Sequence, residues 1–400
     1  MFSININYNS ISTPLCDIGA KYDTYKSSNR TYAIGDRHSH SNTIFYDAIF
    51  KNHRDKELKI LEIGLKDVNS LLMWEEYFKN SEIYGFDEVS KIRELRDKVN
   101  GKRIHLFSYE DRPQNIQYDL IIENIFESPF EQINFIKNNH NVLKPGGMYI
   151  IENVHDHEKI YNDELLDTLN EFFEDFYFIN MTNDREHIIG INKLLVLVKK
   201  GTPIFDNKKK VTFITPSIRP ENLLRLLQGI NFDYVNEWRI AYDGKKIKEN
   251  PHVFKEENNP KIIEEMVIGE GVNGNPQRNH ILSTIKHKDT FIYFLDDDNE
   301  VHPDIYRILR IIDEGYMYTF NQYLFDDPRK VRKGDKFKLR YIDSSQILID
   351  YRLCNYIGWV CDVYEADGAY ICDNYRINKN KWVFIDNILS YTNSIQNRKI

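Results

Sequence analysis

The segment FIYFLDDDNEVHPD, residues 291–304, carries five apolar or aromatic residues straight into three adjacent carboxylates, Asp296, Asp297 and Asp298. Like charges in a row repel one another unless water or a cation relieves them. At the exit of a buried strand, Asp296 and Asp298 stand at i and i+2 of an extended segment and can meet a hard divalent cation from one side through oxygen. Such an ion neutralises a diphosphate and stabilises it as a leaving group. His302 lies beside the cluster, but Pro303 follows it, so it reads as a loop residue; no histidine occurs later in the chain.

The elements that must position these groups alternate. VTFIT (211–215), WRIAY (238–242) and FIYFL (291–295) read as strands, with a helix over Glu221–Gly229. Ligands of open α/β sheets bind beyond the carboxyl ends of the strands. Three exits therefore converge: Thr215, Pro216, Ser217 and Arg219; then Asp243-Gly244; then the acidic triplet. The first half repeats the alternation, with strands LKILEI (58–63), EIYGFD ending at Asp87, YDLII (118–122), MYIIE (148–152) and LLVLVKK (194–200). Helical patterns fall over Ser70–Phe78, Pro129–Asn139 and 163–180, and KPGG (144–147) reads as a turn. Strands alternating with helices predict the α/β class with parallel sheets. The polar, basic GTPIFDNKKK (201–210) reads as a linker between two domains, 1–200 and 211–400.

Composition sets outer bounds. Four hundred residues, 28% charged and 41% hydrophobic, suit two globular domains, and the net charge of -8 argues against nucleic acid as a main partner. Cys16, Cys354, Cys361 and Cys372 have no zinc spacing and read as free thiols in a reducing, cytoplasmic compartment. The N-terminus lacks signal-peptide character, and no apolar run approaches the ~20 residues of a membrane span.

Residues 211–400 resemble a GT-A glycosyltransferase, particularly the compact family 2-like enzymes, in VTFITPSIRP, AYDG, GNPQRNHIL (274–282) and FLDDDNEVHP. The resemblance implies a nucleotide-diphospho-sugar donor, a UDP-sugar favoured, and a glycan acceptor. It implies Mn²⁺ or Mg²⁺ on Asp298 and Asp296, with donor contacts from Thr215, Pro216, Ser217, Arg219, Asp243, Arg278, Asn279, Asp296 and Asp297. In WVCDVYEADGAYICD (359–373) it makes Asp367 the expected general base of an inverting transfer, with Glu365 second. Trp359 reads as core or as a sugar platform, and Asp343 and Gln346 as acceptor contacts.

Residues 15–200 resemble sugar O-methyltransferases of the macrocin and mycinamicin type, which use S-adenosylmethionine (SAM). The matching stretches are CDIGAKYDTYKSS, RHSHSNTIFYDAIF, the LEIG loop and LKPGGMYIIEN. This implies a Rossmann-like fold with Glu62, Gly64, Ser70 and Asp87 at a SAM site, Asp87 accepting from a ribose. The chain departs from the pattern where Val68 and Asn69 replace glycines. It departs again where Glu123-Asn124-Ile125-Phe126-Glu127 replaces a metal-binding, histidine-containing run. Glu123 and Glu152 remain as metal candidates, and His38 and His40 are loop histidines. The expectation is a glycosyltransferase fused to a retained methyltransferase-like domain. Active sugar methylation, and ligand binding without turnover, are the alternatives.

Overall fold

The computed structural model describes residues 3–8, 11–29, 42–113, 115–125, 128–152, 154, 161, 167, 169–182, 193–325, 331–354 and 357–397. His38, His40, Phe126 and Glu127 lie outside this set, as does part of the helix expected over 163–180. The chain divides into two compact units, Met1–Asn207 and Lys208–Ile400.

In the N-terminal unit the strands are β1 (Ser3–Asn7), β2 (Lys59–Ile63), β3 (Glu82–Phe86), β4 (Ile104–Phe107), β5 (Tyr118–Glu123), β6 (Leu143–Ile151), β7 (Phe173–Thr182) and β8 (Lys193–Lys199). They are ordered β4-β3-β2-β5-β6-β8-β7-β1. The pairs from β4 to β6 are parallel, and β8 runs antiparallel to both β6 and β7. Every residue of β5, YDLIIE, is buried, as a central strand covered on both faces requires. Helices α1 (Pro14–Lys21) and α2 (Asn42–Phe50) precede β2, α3 (Asn69–Tyr77) follows it, and α4 (Val89–Arg96) and α5 (Pro129–Asn139) follow β3 and β5. The strand order reverses between β2 and β5, the switch point at which such folds bind ligands. This is a Rossmann-like, doubly wound α/β architecture.

Two expectations need correction here. Residues 173–182 form strand β7 rather than a helix, because FEDFYFINMT pairs with β8 on one side and β1 on the other. KPGG is no turn: β6 runs through it, with a register irregularity opposite Tyr118–Leu120. The segment read as a linker is also anchored. Phe205 is buried against the rings of Phe50 and His53, and Asn207 donates to the Ala48 carbonyl at 2.7 Å.

The C-terminal unit holds β9 (Val211–Ser217), β10 (Val235–Asp243), β11 (Ile262–Val267), β12 (Phe291–Phe294), β13 (Met317–Leu324), β14 (Val331–Arg332), β15 (Ile347–Asp350) and β16 (Trp382–Thr392). The order is β11-β10-β9-β12-β15-β13-β16, with β14 beside β13. Only β15 runs against its neighbours in that path. This is a mixed α/β sheet whose order reverses between β9 and β12. Helices α6 (Leu223–Gln228), α7 (Asn275–Thr284), α8 (Ile305–Ile311), α9 (Tyr351–Cys354) and α10 (Ala366–Ile377) flank the strands. On one side Ile214, Ile292, Phe294, Ile347 and Ile349 pack with Trp359, Tyr370 and Ile371, which fixes the start of α10 against the switch point. The four cysteines are free thiols, Cys361 partly exposed and the others buried.

Candidate active site

The exits of β9, β10 and β12 and the starts of α7 and α10 line one cavity of about 340 Å³, a volume in the range of small-molecule sites, ~300–1,000 Å³. Its acidic wall is Asp296, Asp297, Asp298, Asp243 and Asp367; its basic groups are Arg219, Lys246 and Arg278.

The three adjacent aspartates do different work. The Asp297 carboxylate is 3% exposed and folds back onto the loop after β9. It accepts from Ser217 Oγ at 3.1 Å, Ile218 N at 2.8 Å, Arg219 N at 2.9 Å and Arg219 Nε at 2.8 Å. It is the hub that holds the TPSIRP loop against the end of β12. Asp296 and Asp298 face the cavity instead. Arg278 Nη2 lies 2.5 Å from Asp296 Oδ1, and Arg219 Nη2 lies 2.8 Å from Asp298 Oδ2. Burial, opposed by Arg278 and reinforced by Asp343 and Asp298, pushes the Asp296 carboxyl up to about 6. Burial also raises Asp298, against the pull of Arg219.

Gly274 lets α7 approach. Its φ is +74°, and a Cβ there would sit 2.5 Å from Pro216 Cβ. Only glycine meets both demands at low cost. The close contact brings Arg278, one turn further on, to the acidic wall. Its guanidinium is almost wholly buried. It lies over the Trp359 ring at 4.6 Å and donates to the Asn273 carbonyl at 2.7 Å, while its Nε has no hydrogen-bond partner.

Asp367 lies in the first turn of α10. Burial pushes its carboxyl up to about 7; Arg278 opposes the rise, and Asp343 and Asp296 add to it. A carboxylate poised near neutrality, inside a cavity, is suited to proton abstraction.

Several expected contacts fall elsewhere. Thr215 is fully buried and accepts from Trp238 Nε1 at 3.0 Å, so it belongs to the core between β9 and β10. Asn279 clamps the segment before α10, donating to the Trp359 carbonyl at 2.9 Å and accepting from Trp359 N at 2.7 Å. Asn275, one turn earlier, donates to the Val360 carbonyl at 3.2 Å. Glu365 turns outward to Arg340 at 2.5 Å, which helps hold it below its ordinary value, and it does not line the cavity. Trp359 is core, stacked on Tyr370. Asp343 and Gln346 form a capping box at a short 3-10 turn, with Gln346 fully buried. His302 rests near Asp304 and the Tyr391 ring. Asp243 lines the cavity and also shapes its turn, accepting from Lys245 N at 3.0 Å. Sequence reasoning missed Lys246, Gln277 and Tyr364 in the lining; the Lys245-Lys246 pair after AYDG was the available signal for the first.

Among the described residues no group of three or more His, Cys, Asp or Glu side chains is set to hold a metal. A magnesium-type ion needs fewer protein ligands, because one or two carboxylates plus substrate phosphates and water complete its shell. Asp296 and Asp298 fit that requirement: both line the cavity, and a dication there would offset the repulsion of their carboxylate neighbours.

Among the candidate residues of the N-terminal unit, Glu62 and Gly64 lie at the end of β2, Asp87 follows β3 and Ser70 lies in the first turn of α3. Glu62, on β2, is buried and accepts from Ser70 Oγ at 2.8 Å and Trp74 Nε1 at 3.0 Å. Asp87 accepts from Leu65 N at 2.6 Å and Glu88 N at 2.7 Å. Gly64 has φ +84°, and a Cβ on it would lie 2.7 Å from the Asn124 carbonyl. Glu152, expected as a metal candidate, binds Lys26 Nζ, Asn42 Nδ2 and Tyr46 OH instead.

No protein-family model and no curated protein matches the chain. Among solved structures it is similar to MycE methyltransferase from the mycinamycin biosynthetic pathway in complex with Mg, SAH and mycinamycin VI. That match has 18% identity and a TM-score of 0.33, over 49% of this chain and 58% of that one. It is similar to S. aureus TarS 1-349 at 16% identity and a TM-score of 0.37, over 46% of this chain and 60% of that one. NodS N-methyltransferase from Bradyrhizobium japonicum WM9 matches at 13% identity and a TM-score of 0.28, over 40% of this chain and 93% of that one. The chain thus spans less than two thirds of the MycE and TarS chains. Likenesses of this size carry no argument about the site.

Proposed function

We propose that the C-terminal unit is a metal-dependent glycosyltransferase that moves a sugar from a nucleoside diphosphate, UDP favoured, to a hydroxyl of a glycan acceptor with inversion. The observation that carries this reading is the convergence of Asp296, Asp298 and Asp367 with Arg219, Lys246 and Arg278 on one cavity at the sheet's switch point. Asp296 and Asp298 would hold a Mg²⁺ or Mn²⁺ ion, which would supply positive charge to the departing diphosphate. The chain does the rest. Lys246 and Arg219 present positive charge to the phosphates, Asp243 and Pro216 bound the nucleoside side, and Arg278 keeps Asp296 oriented. Asp367, ionised above about pH 7, takes the proton from the acceptor hydroxyl as its oxygen attacks the anomeric carbon. Donor hydrolysis by the full chain with UDP-, GDP- and dTDP-sugars, with Mn²⁺ and with a chelator, tests the proposal. The expected result is turnover of one donor class that the chelator removes; no turnover of any donor, beside tight nucleotide binding, would leave a binding protein.

A further inference from the structure

The switch-point crevice of the N-terminal unit, between β2 and β5, is where its architecture takes a ligand. SAM would bring both signs of charge there, an ammonium and a carboxylate on one carbon and a sulfonium two methylenes away. An anion in such a crevice belongs at the N-terminus of the helix after the first strand, here α3.

Both kinds of charge are already present from the chain itself. Lys26 is fully buried, and its ammonium lies 3.4 Å from Glu62 Oε1 and bonds Glu152 Oε2. Tyr46 OH and Asn42 Nδ2 occupy the other Glu152 oxygen at 2.6 and 3.1 Å. Although burial opposes it, Glu152 and Glu62 hold the Lys26 ammonium well above its ordinary value, so it stays charged. At the start of α3, the first helical amide, Asn69 N, donates to Asp67 Oδ1 at 2.9 Å. Val68, buried where a glycine would let a ligand approach the backbone, packs beside it. The loops after β2 and β5 touch, Gly64 against the Asn124 carbonyl, and the Asn124 amide donates to Tyr25 OH at 2.7 Å. Both Asp87 oxygens accept from backbone amides of the chain itself.

We infer that the N-terminal unit is self-liganded: Lys26 and Asp67 supply the cation and the anion that a zwitterionic nucleoside cofactor would bring, and the crevice binds neither SAM nor its demethylated product. Glu152 is engaged in the same way, its carboxylate bonded by Lys26, Asn42 and Tyr46. The residues that the methyltransferase likeness singles out do not fit the cofactor, and the fold persists as a cofactor-free body.

Calorimetry of the full chain with SAM and with S-adenosylhomocysteine tests this, at concentrations on the order of 1 mM, where a millimolar site is half filled. The expected result is no saturable heat and no change in Tm with either compound. Saturable one-to-one binding of either would overturn the inference, whatever glycosyl transfer by the other unit does. Amine acylation of the native chain followed by mass spectrometry gives a second readout. Lys26 is expected to stay unmodified with or without S-adenosylhomocysteine while surface lysines react; rapid acylation of Lys26 would contradict the buried cluster.

Discussion

Arg278 Nη2 stands 2.5 Å from Asp296 Oδ1 while the same guanidinium covers the face of Trp359, so one side chain joins the acidic strand exit to the segment that leads into α10. Asp367 stands in the first turn of that helix. The arginine field therefore reaches both Asp296 and Asp367, and it keeps them from rising further.

Asp367 gives a pH signature. Its carboxyl is pushed up to about 7, chiefly by burial, and a base works only when ionised. The kcat/KM should fall about tenfold per pH unit below that value and level off above it. Asp367→Asn should lower kcat by roughly 10²–10⁴-fold. A pH–rate profile checks both.

The same shift predicts a cost in stability. A folded pKa of about 7 against an ordinary 3.8 means that the native state binds more protons between those values. Stability from this group therefore declines as pH rises across that window. The Tm advantage of Asp367→Asn over wild type should grow from about pH 4 to about pH 7 and then stay constant, as read by thermal melts without ligand.

Glu365 lies two residues before Asp367, on another face of the turn, and pairs with Arg340. Glu365→Gln should leave kcat within about twofold of wild type, since its exposed ion pair is screened by solvent and the carboxylate does not line the cavity. A loss as large as that of Asp367→Asn would exchange the two roles.

Asn279→Ala should cost about 1–3 kcal/mol in stability by leaving the Trp359 backbone groups without partners. The donor KM should change less than about twofold, because the amide clamps a loop rather than a ligand. Denaturant melts and donor saturation curves separate these outcomes.

These contrasts mark how far the sequence could be read. The strand exits were legible because continuous apolar runs ended abruptly in polar groups, as at Leu295–Asp296. Neighbouring residues on a helix start were not resolved, since ~100° separates successive side chains and one step decides between cavity and scaffold. Thus Arg278 faces the acids while Asn279 binds the loop, and Asp367 lines the cavity while Glu365 meets solvent. Asp297 sits between two cavity-lining aspartates, yet the turn that follows β12 sets it onto the loop after β9. In β7 the aromatic spacing of Phe173, Phe176 and Tyr177 fits a helical face, and only pairing with β1 and β8 makes it a strand. The buried Lys26–Glu62–Glu152 cluster joins segments 126 residues apart, a distance over which no local pattern carries information.

The central claim is that Asp296 and Asp298 hold a cation bound to a nucleoside diphosphate. Electron paramagnetic resonance of Mn²⁺ titrated with the full chain and UDP tests it most directly. The account predicts that wild-type protein immobilises Mn²⁺ in the presence of UDP, and that Asp298→Ala weakens this at least about a hundredfold, near 2.7 kcal/mol. Equal Mn²⁺–UDP binding by wild type and Asp298→Ala would contradict it.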